Sequence, residues 1–342
     1  MDPKKRKKLV LRNTEEVITE EELDEILKTK DKPSCYVGYE TSGPIHLGTW
    51  LSIRTLVDMQ KAGFEVKVLF ADLHTYLNKK GEIGWINDMI EYWKATFEAL
   101  GLKADFIKGS SFQENDEYFH DLLEMSLNTT INRGTRSMQE VARGDRDSQS
   151  ISQIIYPLMQ ALDIEYLDLD VAIGGIEQRK IHMLAREVLP KIGYEKPCCI
   201  HHPLVVSLKG GSKMSSSKPE TMFPLHASSD VIKDRINGAY CPQGEVEENP
   251  VLQIAKFHIF GADENLKIER PEKYGGDITF ERYDELEEIF GKGDLHPADL
   301  KKGVAKNVVT TLEPVRNRFK EEPELLEPLE RIGHKMPDYI SG

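Results

Sequence analysis

Cys35-Tyr36-Val37-Gly38-Tyr39-Glu40 runs straight into Thr41-Ser42-Gly43-Pro44-Ile45-His46-Leu47-Gly48-Thr49. The first six residues read as a short strand and Gly43-Pro44 as a turn. Trp50, Leu51, Ile53 and Leu56 then recur at helical spacing. A strand, a tight turn and a helix start together present unpaired N–H groups and the positive end of a dipole, so anions collect there. Gly48 lets a phosphate approach the backbone, and His46 can donate to a phosphate oxygen as charge builds on it. Alone, a His-x-Gly turn is equally a surface loop with an incidental histidine, and it needs an answering element elsewhere in the chain.

That element lies far downstream. Gly210-Gly211-Ser212-Lys213-Met214-Ser215-Ser216-Ser217-Lys218 is rich in hydroxyls, with glycines in front and two lysines. Such a loop can close a lysine over a triphosphate and stabilise departing pyrophosphate, whereas most Gly/Ser/Lys runs are solvated linkers. A third stretch is Leu167-Asp168-Leu169-Asp170-Val171-Ala172-Ile173 followed by Gly174-Gly175-Ile176-Glu177-Gln178-Arg179-Lys180. It reads as a strand breaking at two glycines into a helix, with Glu177 placed to accept ribose hydroxyls. In this order and at this separation, the first two stretches resemble the "HIGH" and "KMSKS" signatures of class I aminoacyl-tRNA synthetases. The third resembles the Gly-Gly-x-(Asp/Glu)-Gln motif of the same family. The chain looks most like the archaeal and eukaryotic type of tyrosyl-tRNA synthetase, from about Asn13 to about Arg318. One position departs from the pattern. The first signature normally ends in a second histidine; here Thr49 stands there, able to donate one hydrogen bond but not to carry charge.

At 342 residues the chain has room for two domains, and 39% hydrophobic with 30% charged residues is an ordinary soluble composition. No apolar run reaches the length of a membrane span and there is no signal-peptide core, so a cytoplasmic protein without membrane attachment is expected. Cys35, Cys198, Cys199 and Cys241 form no metal-spaced pair, and adjacent cysteines make a poor disulfide framework. A reducing compartment and no protein-held metal are therefore expected. The net charge of −13 excludes broad nucleic-acid binding over the whole surface, so an RNA partner must be held by local basic patches. Candidates are Arg133 and Arg136 with Arg143 and Arg146, and separately Arg179 with Lys180; each also reads as a solvated helix face.

The organisation follows from alternation. Val66 to Ala71 and Ala104 to Ile107 read as further strands, separated by helical patterns over Trp50 to Ala62 and Ile86 to Leu100. Such βαβ units build an α/β fold with a parallel, doubly wound sheet, whose ligands sit beyond the carboxyl ends of the strands. The resemblance agrees, implying a Rossmann-like catalytic domain over residues 33–218. A long helical stretch from Ser110 to Leu162 interrupts the alternation, and the resemblance places a dimerisation insertion at about residues 110–150. Residues 1–32 read as an N-terminal helical segment, with the basic cluster Lys4 to Lys8 as the solvated start of a helix. Both Asn13-Thr14-Glu15-Glu16 and Thr19-Glu20-Glu21-Glu22 look like helix caps. Residues 219–320 read as a smaller, mostly α-helical C-terminal domain, and residues 321–342 as an acidic extension.

The helix from Ile151 to about Ile164 sets Tyr156, Gln160 and Asp163 on one face, at i, i+4 and i+7, among Ile154, Ile155, Leu158, Met159, Ala161 and Leu162. A polar stripe on an otherwise apolar helix should line a buried polar pocket rather than face solvent. The resemblance assigns roles to it. Tyr36 and Asp163 are implied at the phenolic hydroxyl of tyrosine, and Tyr156, Gln160 and Gln178 at its α-ammonium, with Glu40 also in the amino-acid pocket. Gly38, Gly48, Thr49, Gly174, Gly175, Glu177 and Met214 are implied at ATP, which brings its own Mg²⁺. His46, Lys213, Ser215 and Lys218 are implied as the catalytic groups. Tyr274, His296 and Asp299 are implied at the tRNA(Tyr) anticodon, and Arg133, Arg136, Arg179 and Lys180 at the acceptor stem. His296, ahead of Pro297, reads equally as a helix-start residue.

The implied reaction is attack of the amino-acid carboxylate on the α-phosphorus of ATP, then esterification of a tRNA 3′ end by a homodimer. Three other readings share parts of these features. The tryptophan sister enzyme has no need of a donor and acceptor for a phenol. A catalytically silent RNA-binding paralogue is favoured only by Thr49. A small-molecule adenylyltransferase would have no use for the C-terminal helices.

Overall fold

The computed structural model describes residues 1–141, 150–211, 214 and 219–333. The chain divides into two compact units, each discontinuous in sequence. The first comprises Met1–Ser42, Thr55–Glu91 and Leu102–Pro203; the second comprises Gly43–Arg54, Tyr92–Gly101 and Leu204–Gly342. In sequence the last crossing between the units falls at Pro203/Leu204, and the segments 43–54 and 92–101 belong to the second unit.

The first unit is built on a six-stranded sheet. Its elements run α1 (Pro3–Val10), β1 (Glu16–Ile18), α2 (Glu20–Thr29), β2 (Ser34–Tyr39), α3 (Leu47–Lys61), β3 (Glu65–Phe70), α4 (Asp72–Leu77), α5 (Ile83–Ala99), β4 (Asp105–Lys108), α6 (Ser110–Gln113), α7 (Asp116–Leu127), α8 (Ile131–Ser137), α9 (Ile151–Tyr166), β5 (Val171–Gly175), α10 (Arg179–Val188) and β6 (Cys198–His202). Helices α3 and α5 divide between the units at Arg54/Thr55 and Glu91/Tyr92. The strand order is β1-β6-β5-β2-β3-β4. From β2 the chain winds outward through β3 and β4, then returns to the other side of β2 for β5 and β6. This reversal is the topological switch point at which α/β sheets bind ligands. Tyr36 of β2 pairs with Ala172 of β5 across it.

The doubly wound parallel sheet expected from the sequence is present, with one antiparallel edge where β1 pairs with β6. Two local expectations change. The Asn13–Glu16 segment, expected as a helix cap, leads into this strand instead, and the Glu15 N–H donates to His201 O at 2.8 Å. Three residues are too few for a period of two to show, so only the edge of β6 reveals the pairing. Thr19 does cap: it and Glu22 form a reciprocal capping box at the start of α2. The expected strand from Leu167 begins only at Val171, because α9 continues to Tyr166. The turn after α9 closes with Asp168 N–H donating to Glu165 O (2.8 Å) and Leu169 N–H to Ile164 O (3.2 Å), and Asp168 is left-handed at φ +49°.

In the second unit, β7 (Leu266–Ile268) and β8 (Ile278–Phe280) form an antiparallel pair. Around them are α11 (Ser229–Asn237), α12 (Pro250–Ile254), α13 (Tyr283–Gly291), α14 (Pro297–Thr311), α15 (Glu313–Glu321) and α16 (Glu327–Gly333). Gly303 of α14 lies so close to β7 that a Cβ there would meet Ile268 Cγ1 at 2.9 Å. The helix expected from Pro297 to Phe319 is interrupted at Leu312, just ahead of Pro314 at the start of α15. Among the described residues, no helix is long and apolar enough to cross a membrane. All four cysteines are buried and free.

The basic cluster at the N-terminus is not uniformly solvated. Arg6 is buried, and its guanidinium caps two helix ends: Nε donates to Ala62 O (2.8 Å), Nη1 to Leu27 O and Lys30 O (both 3.1 Å), and Nη2 to Asp31 O (3.3 Å). Arg6→Ala leaves four acceptors without this donor, and urea denaturation is expected to show a loss of about 3 kcal/mol. Arg6→Lys recovers only part of it, since an ammonium cannot span the fork. A loss under about 1 kcal/mol for Arg6→Ala would contradict this role.

Candidate active site

Asp163, on α9, is fully buried. Its Oδ1 accepts from Gln113 Nε2 (2.7 Å) and from the Tyr118 hydroxyl (2.8 Å), while Oδ2 has no hydrogen-bond partner. His74 of α4 places Nε2 at 3.6 Å from that oxygen and packs edge-on against Tyr156, with ring centroids 4.6 Å apart. Both His74 ring nitrogens are themselves without hydrogen bonds. Burial pushes the Asp163 carboxyl up to about 7, opposed by the bonds from Gln113 and Tyr118 and assisted by Asp72. Tyr36, 1% exposed, packs in one apolar cluster with Leu69, Ala71, Leu162 and Ala172. Its phenol is pushed far up, first by burial and then by the charge of Asp163. Helix, strand and apolar packing thus enclose an unpaired carboxylate oxygen beside a buried phenol, which is an incomplete hydrogen-bonding set.

A second polar group sits along the same helix face. Gln160 Nε2 donates to Gln178 Oε1 (3.1 Å), and Gln178 Nε2 donates to Glu177 Oε1 (3.3 Å). Gln160 Oε1 and Glu177 Oε2 are buried without partners. Tyr156 is pushed well up by burial, and then by the charges of Glu40, Asp163 and Glu177 among others, so the potential around its hydroxyl is negative. Two acceptors without donors in a negative field suit a cationic group. Glu40 is already engaged, accepting from Asn78 Nδ2 (2.9 Å) and pairing with Lys80. It contributes field rather than a free oxygen.

The two glycines of the third motif have a steric reason. A Cβ on Gly174 would stand 2.9 Å from Gln178 Cβ and Cγ, and one on Gly175 would stand 2.1 Å from Glu177 Oε2. The close approach is made by the chain's own Glu177 and Gln178, folded back over the end of β5. Gly38, by contrast, is exposed, and a Cβ there makes only ordinary contacts of 3.7 Å or more.

The His46 turn belongs to the second unit and is braced there. Trp93 Nε1 donates to Gly43 O (3.0 Å), and the Ile45 N–H donates to the Tyr92 hydroxyl (3.1 Å), which lies 3.0 Å from His226 Nδ1. Leu225 N–H donates to Ile45 O (2.9 Å), and His46 bridges to Pro224. Gly48 N–H donates to His46 Nδ1 (3.1 Å), and burial lowers the imidazole to about 4. The ring is therefore neutral near pH 7, with its lone pair on Nδ1 and its proton on Nε2, ready to donate. Its packing needs Gly48, where a Cβ would meet His46 Cε1 at 3.0 Å. Thr49 is half-buried in the first turn of α3. Met214 is buried and donates its N–H to Val205 O (3.1 Å). Lys213, Ser215 and Lys218 lie outside the described residues.

The basic candidates are mostly engaged. Arg133 pairs with Glu187 (2.8 Å), Arg179 with Glu16 (2.8 Å) and Lys180 with Glu140 (2.8 Å), while Arg136 is exposed. In the second unit Tyr274 is 60% exposed, with Lys273 Nζ 4.8 Å from its ring centroid. His296 caps α14, its Nδ1 accepting from Ala298 N–H (3.1 Å), and Asp299 stands in the first turn. Sequence reading missed Gln113, Tyr118 and His74 as partners of Asp163. The first two lay in the stretch read as an insertion, where no periodicity marks them.

The Asp163 carboxyl makes a direct prediction. Its value of about 7 lies above the ordinary 3.8, so folding takes up a proton. Its contribution to stability is full below about pH 4 and is lost as pH rises through about 7. Urea denaturation at about pH 5 and about pH 8 is expected to show Asp163→Asn gaining on the natural protein at the higher pH. A stability difference that stays constant between the two would contradict the assignment.

With this geometry established, comparison identifies the chain. Residues 28–313 match the family described as tRNA synthetases class I (W and Y). A tyrosine–tRNA ligase of Archaeoglobus fulgidus is 50% identical over 93% of this chain and 99% of its own length, and one of Methanopyrus kandleri 48% identical over 92% and 98%. The crystal structure of the Archaeoglobus fulgidus tyrosyl-tRNA synthetase with L-tyrosine superposes with a TM-score of 0.89 at 49% identity, covering 93% of this chain and 99% of that one. A tryptophanyl-tRNA synthetase of Aeropyrum pernix, 20% identical, covers 89% of this chain and 83% of its own at a TM-score of 0.71, sharing the fold. The chain belongs to the class I tRNA synthetases for tryptophan and tyrosine, and among them to the tyrosyl-tRNA synthetases.

Proposed function

We propose that the protein ligates tyrosine to tRNA(Tyr) with ATP, and that the buried Asp163–Tyr36 pair selects the amino acid. The observation that carries this reading is Asp163 Oδ2, a buried oxygen without a hydrogen-bond partner whose carboxyl charge is felt by the buried Tyr36 phenol. The substrate's phenol donates to that oxygen and accepts from Tyr36. Phenylalanine would leave both groups unpaired, and a site built around a hydroxyl rejects an analogue lacking it. The ammonium goes to the negative end of the pocket, where Tyr156, Gln160 Oε1 and Gln178 hold it and Glu40 and Glu177 supply field.

A substrate carboxylate oxygen then bonds to the α-phosphorus of ATP as the bond to pyrophosphate breaks. No enzyme nucleophile takes part; positioning and charge stabilisation carry the step. His46 donates from Nε2 to the phosphates, and Thr49 adds one hydrogen bond. Lys213 and Lys218, with Ser215, neutralise the departing pyrophosphate, and Mg²⁺ arrives as the ATP complex. Gly38, Gly48, Gly174, Gly175 and Met214 are assigned to nucleotide binding, and Glu177 accepts from the ribose. The tyrosyl group next passes to the tRNA 3′ end. Arg133, Arg179 and Lys180 meet the acceptor stem by exchanging their carboxylate partners for phosphates, and exposed Arg136 meets it directly. Tyr274 stacks on an anticodon base, with His296 and Asp299 reading its edge.

In this reading residues 33–218 form the catalytic domain, 219–320 the anticodon-binding domain, 1–32 an N-terminal segment and 321–342 an extension, in a cytoplasmic homodimer. Phe119, Leu123 and Leu127, exposed at i, i+4 and i+8 on α7, support the dimer, and Ile131, the first residue of α8, is exposed as well.

Two experiments test these proposals. ATP–pyrophosphate exchange is expected with tyrosine and not with phenylalanine or tryptophan, and Asp163→Ala is expected to lower tyrosine-dependent kcat/KM about 100-fold. Exchange driven by tryptophan, or untouched by Asp163→Ala, would contradict the pocket. Sedimentation is expected to show a dimer that Leu123→Glu with Leu127→Glu converts to monomer; a natural protein that sediments as a monomer would overturn the dimer.

A further inference from the structure

Glu16, His201 and Gly174 stand opposite one another on β1, β6 and β5, in one row across the sheet. Arg179 Nε donates to both Glu16 oxygens (2.9 and 2.8 Å). Glu16 Oε2 lies 3.0 Å from His201 Nδ1, and His201 Nε2 lies 3.0 Å from His182 Nδ1. His182 and His201 are 1% and 0% exposed, with rings stacked at 5.1 Å. His182 Cε1 is 3.3 Å from where a Cβ on Gly174 would stand, and Gln178 covers the same glycine. The turn that carries Gln178 is thus tied to the sheet at two points, through Arg179 and through His182.

The tautomers follow from the partners. Glu16 is a carboxylate bound by Arg179, so His201 Nδ1 carries a proton toward it and His201 Nε2 offers a lone pair. His182, lowered to about 3 by burial and by His201, stays neutral and donates from Nδ1. The direction of donation is fixed: His182 to His201 to Glu16, with Arg179 donating from the other side.

We propose that Arg179–Glu16–His201–His182 is a positioning relay that sets Gln178 in the amino-acid pocket and carries the state of Arg179 to it. The proposal rests on the reading of Gln178 as an ammonium ligand and of Arg179 as an acceptor-stem contact. An RNA phosphate that takes the guanidinium from Glu16 opens one of the two ties, and by linkage amino-acid affinity and tRNA affinity must then change together. None of the four is a catalytic residue; they act through Gln178.

The test is the tyrosine KM in tRNA-free ATP–pyrophosphate exchange, with melting curves alongside. Glu16→Ala and His182→Ala are each expected to raise it about fivefold with kcat little changed. The double variant is expected to stay near fivefold, because either change breaks the same chain; independent effects would multiply to about 25-fold. His182→Asn, whose amide nitrogen takes the place of Nδ1, is expected to restore the natural KM, and His182→Leu is not. Unchanged KM in Glu16→Ala and His182→Ala, multiplying effects in the double variant, or equal loss in His182→Asn and His182→Leu would each overturn the relay. Failure of the underlying reading looks different: Gln178→Ala would leave the tyrosine KM unchanged, and Arg179→Ala would leave the tRNA KM of aminoacylation unchanged.

Discussion

An ionisable group held away from water on helix α9 is the constraint around which the first unit is arranged. The carboxyl of Asp163 has one oxygen satisfied by Gln113 and Tyr118 and the other by nothing in the chain. Such a half-satisfied buried carboxylate is unfavourable to the fold, which is why burial moves it to about 7. A fold keeps such a group where a ligand completes it. Tyr118 and Gln113 come from α7 and α6 and His74 from α4, so three elements of one unit converge on a single oxygen pair, and the Tyr36 phenol of β2 feels its charge.

The sheet topology makes that convergence possible. Tyr36 and Ala172 are neighbours because the strand order, not the strand direction, reverses between β2 and β5, and parallel sheets open a crevice at the strand ends where the order reverses. Gly174 and Gly175 end β5 without side chains, so Gln178 and Glu177 fold back over it toward Gln160. In the second unit the same economy operates at His46, whose ring lies on Gly48 and takes a hydrogen bond from its backbone. In both places a glycine makes room for a neighbouring polar side chain, and that side chain's orientation is then set by hydrogen bonds.

Much of this was legible in the sequence, for physical reasons that differ by element. The parallel strands are β-rich runs between long helical patterns, so β2, β3 and β4 could be read to within a residue or two. Tyr156, Gln160 and Asp163 were legible because polar groups in a stripe on an apolar helix are costly to bury unless they line a polar pocket. The capping box at Thr19 is a local pattern and was equally visible. Strands β1 and β6 were not, since three and five residues pairing with distant partners leave no periodic trace. Gln113, Tyr118 and His74 were missed as partners of Asp163, although the segment of His74 reads as lying at the ligand edge of the sheet, because their role depends on one acceptor some 45 to 90 residues away and no spacing rule links them to it. The burial of Arg6 was hidden for a related reason: in a basic run, only the tertiary position of two helix ends decides which cation goes inside.

The most direct test of this account is a crystal structure of the protein with tyrosine bound. The account predicts the phenolic oxygen within hydrogen-bonding reach of both Asp163 Oδ2 and the Tyr36 hydroxyl, with the ammonium at Gln160 and Gln178. A tyrosine bound with its ring elsewhere, or with the ammonium at Asp163, would contradict it.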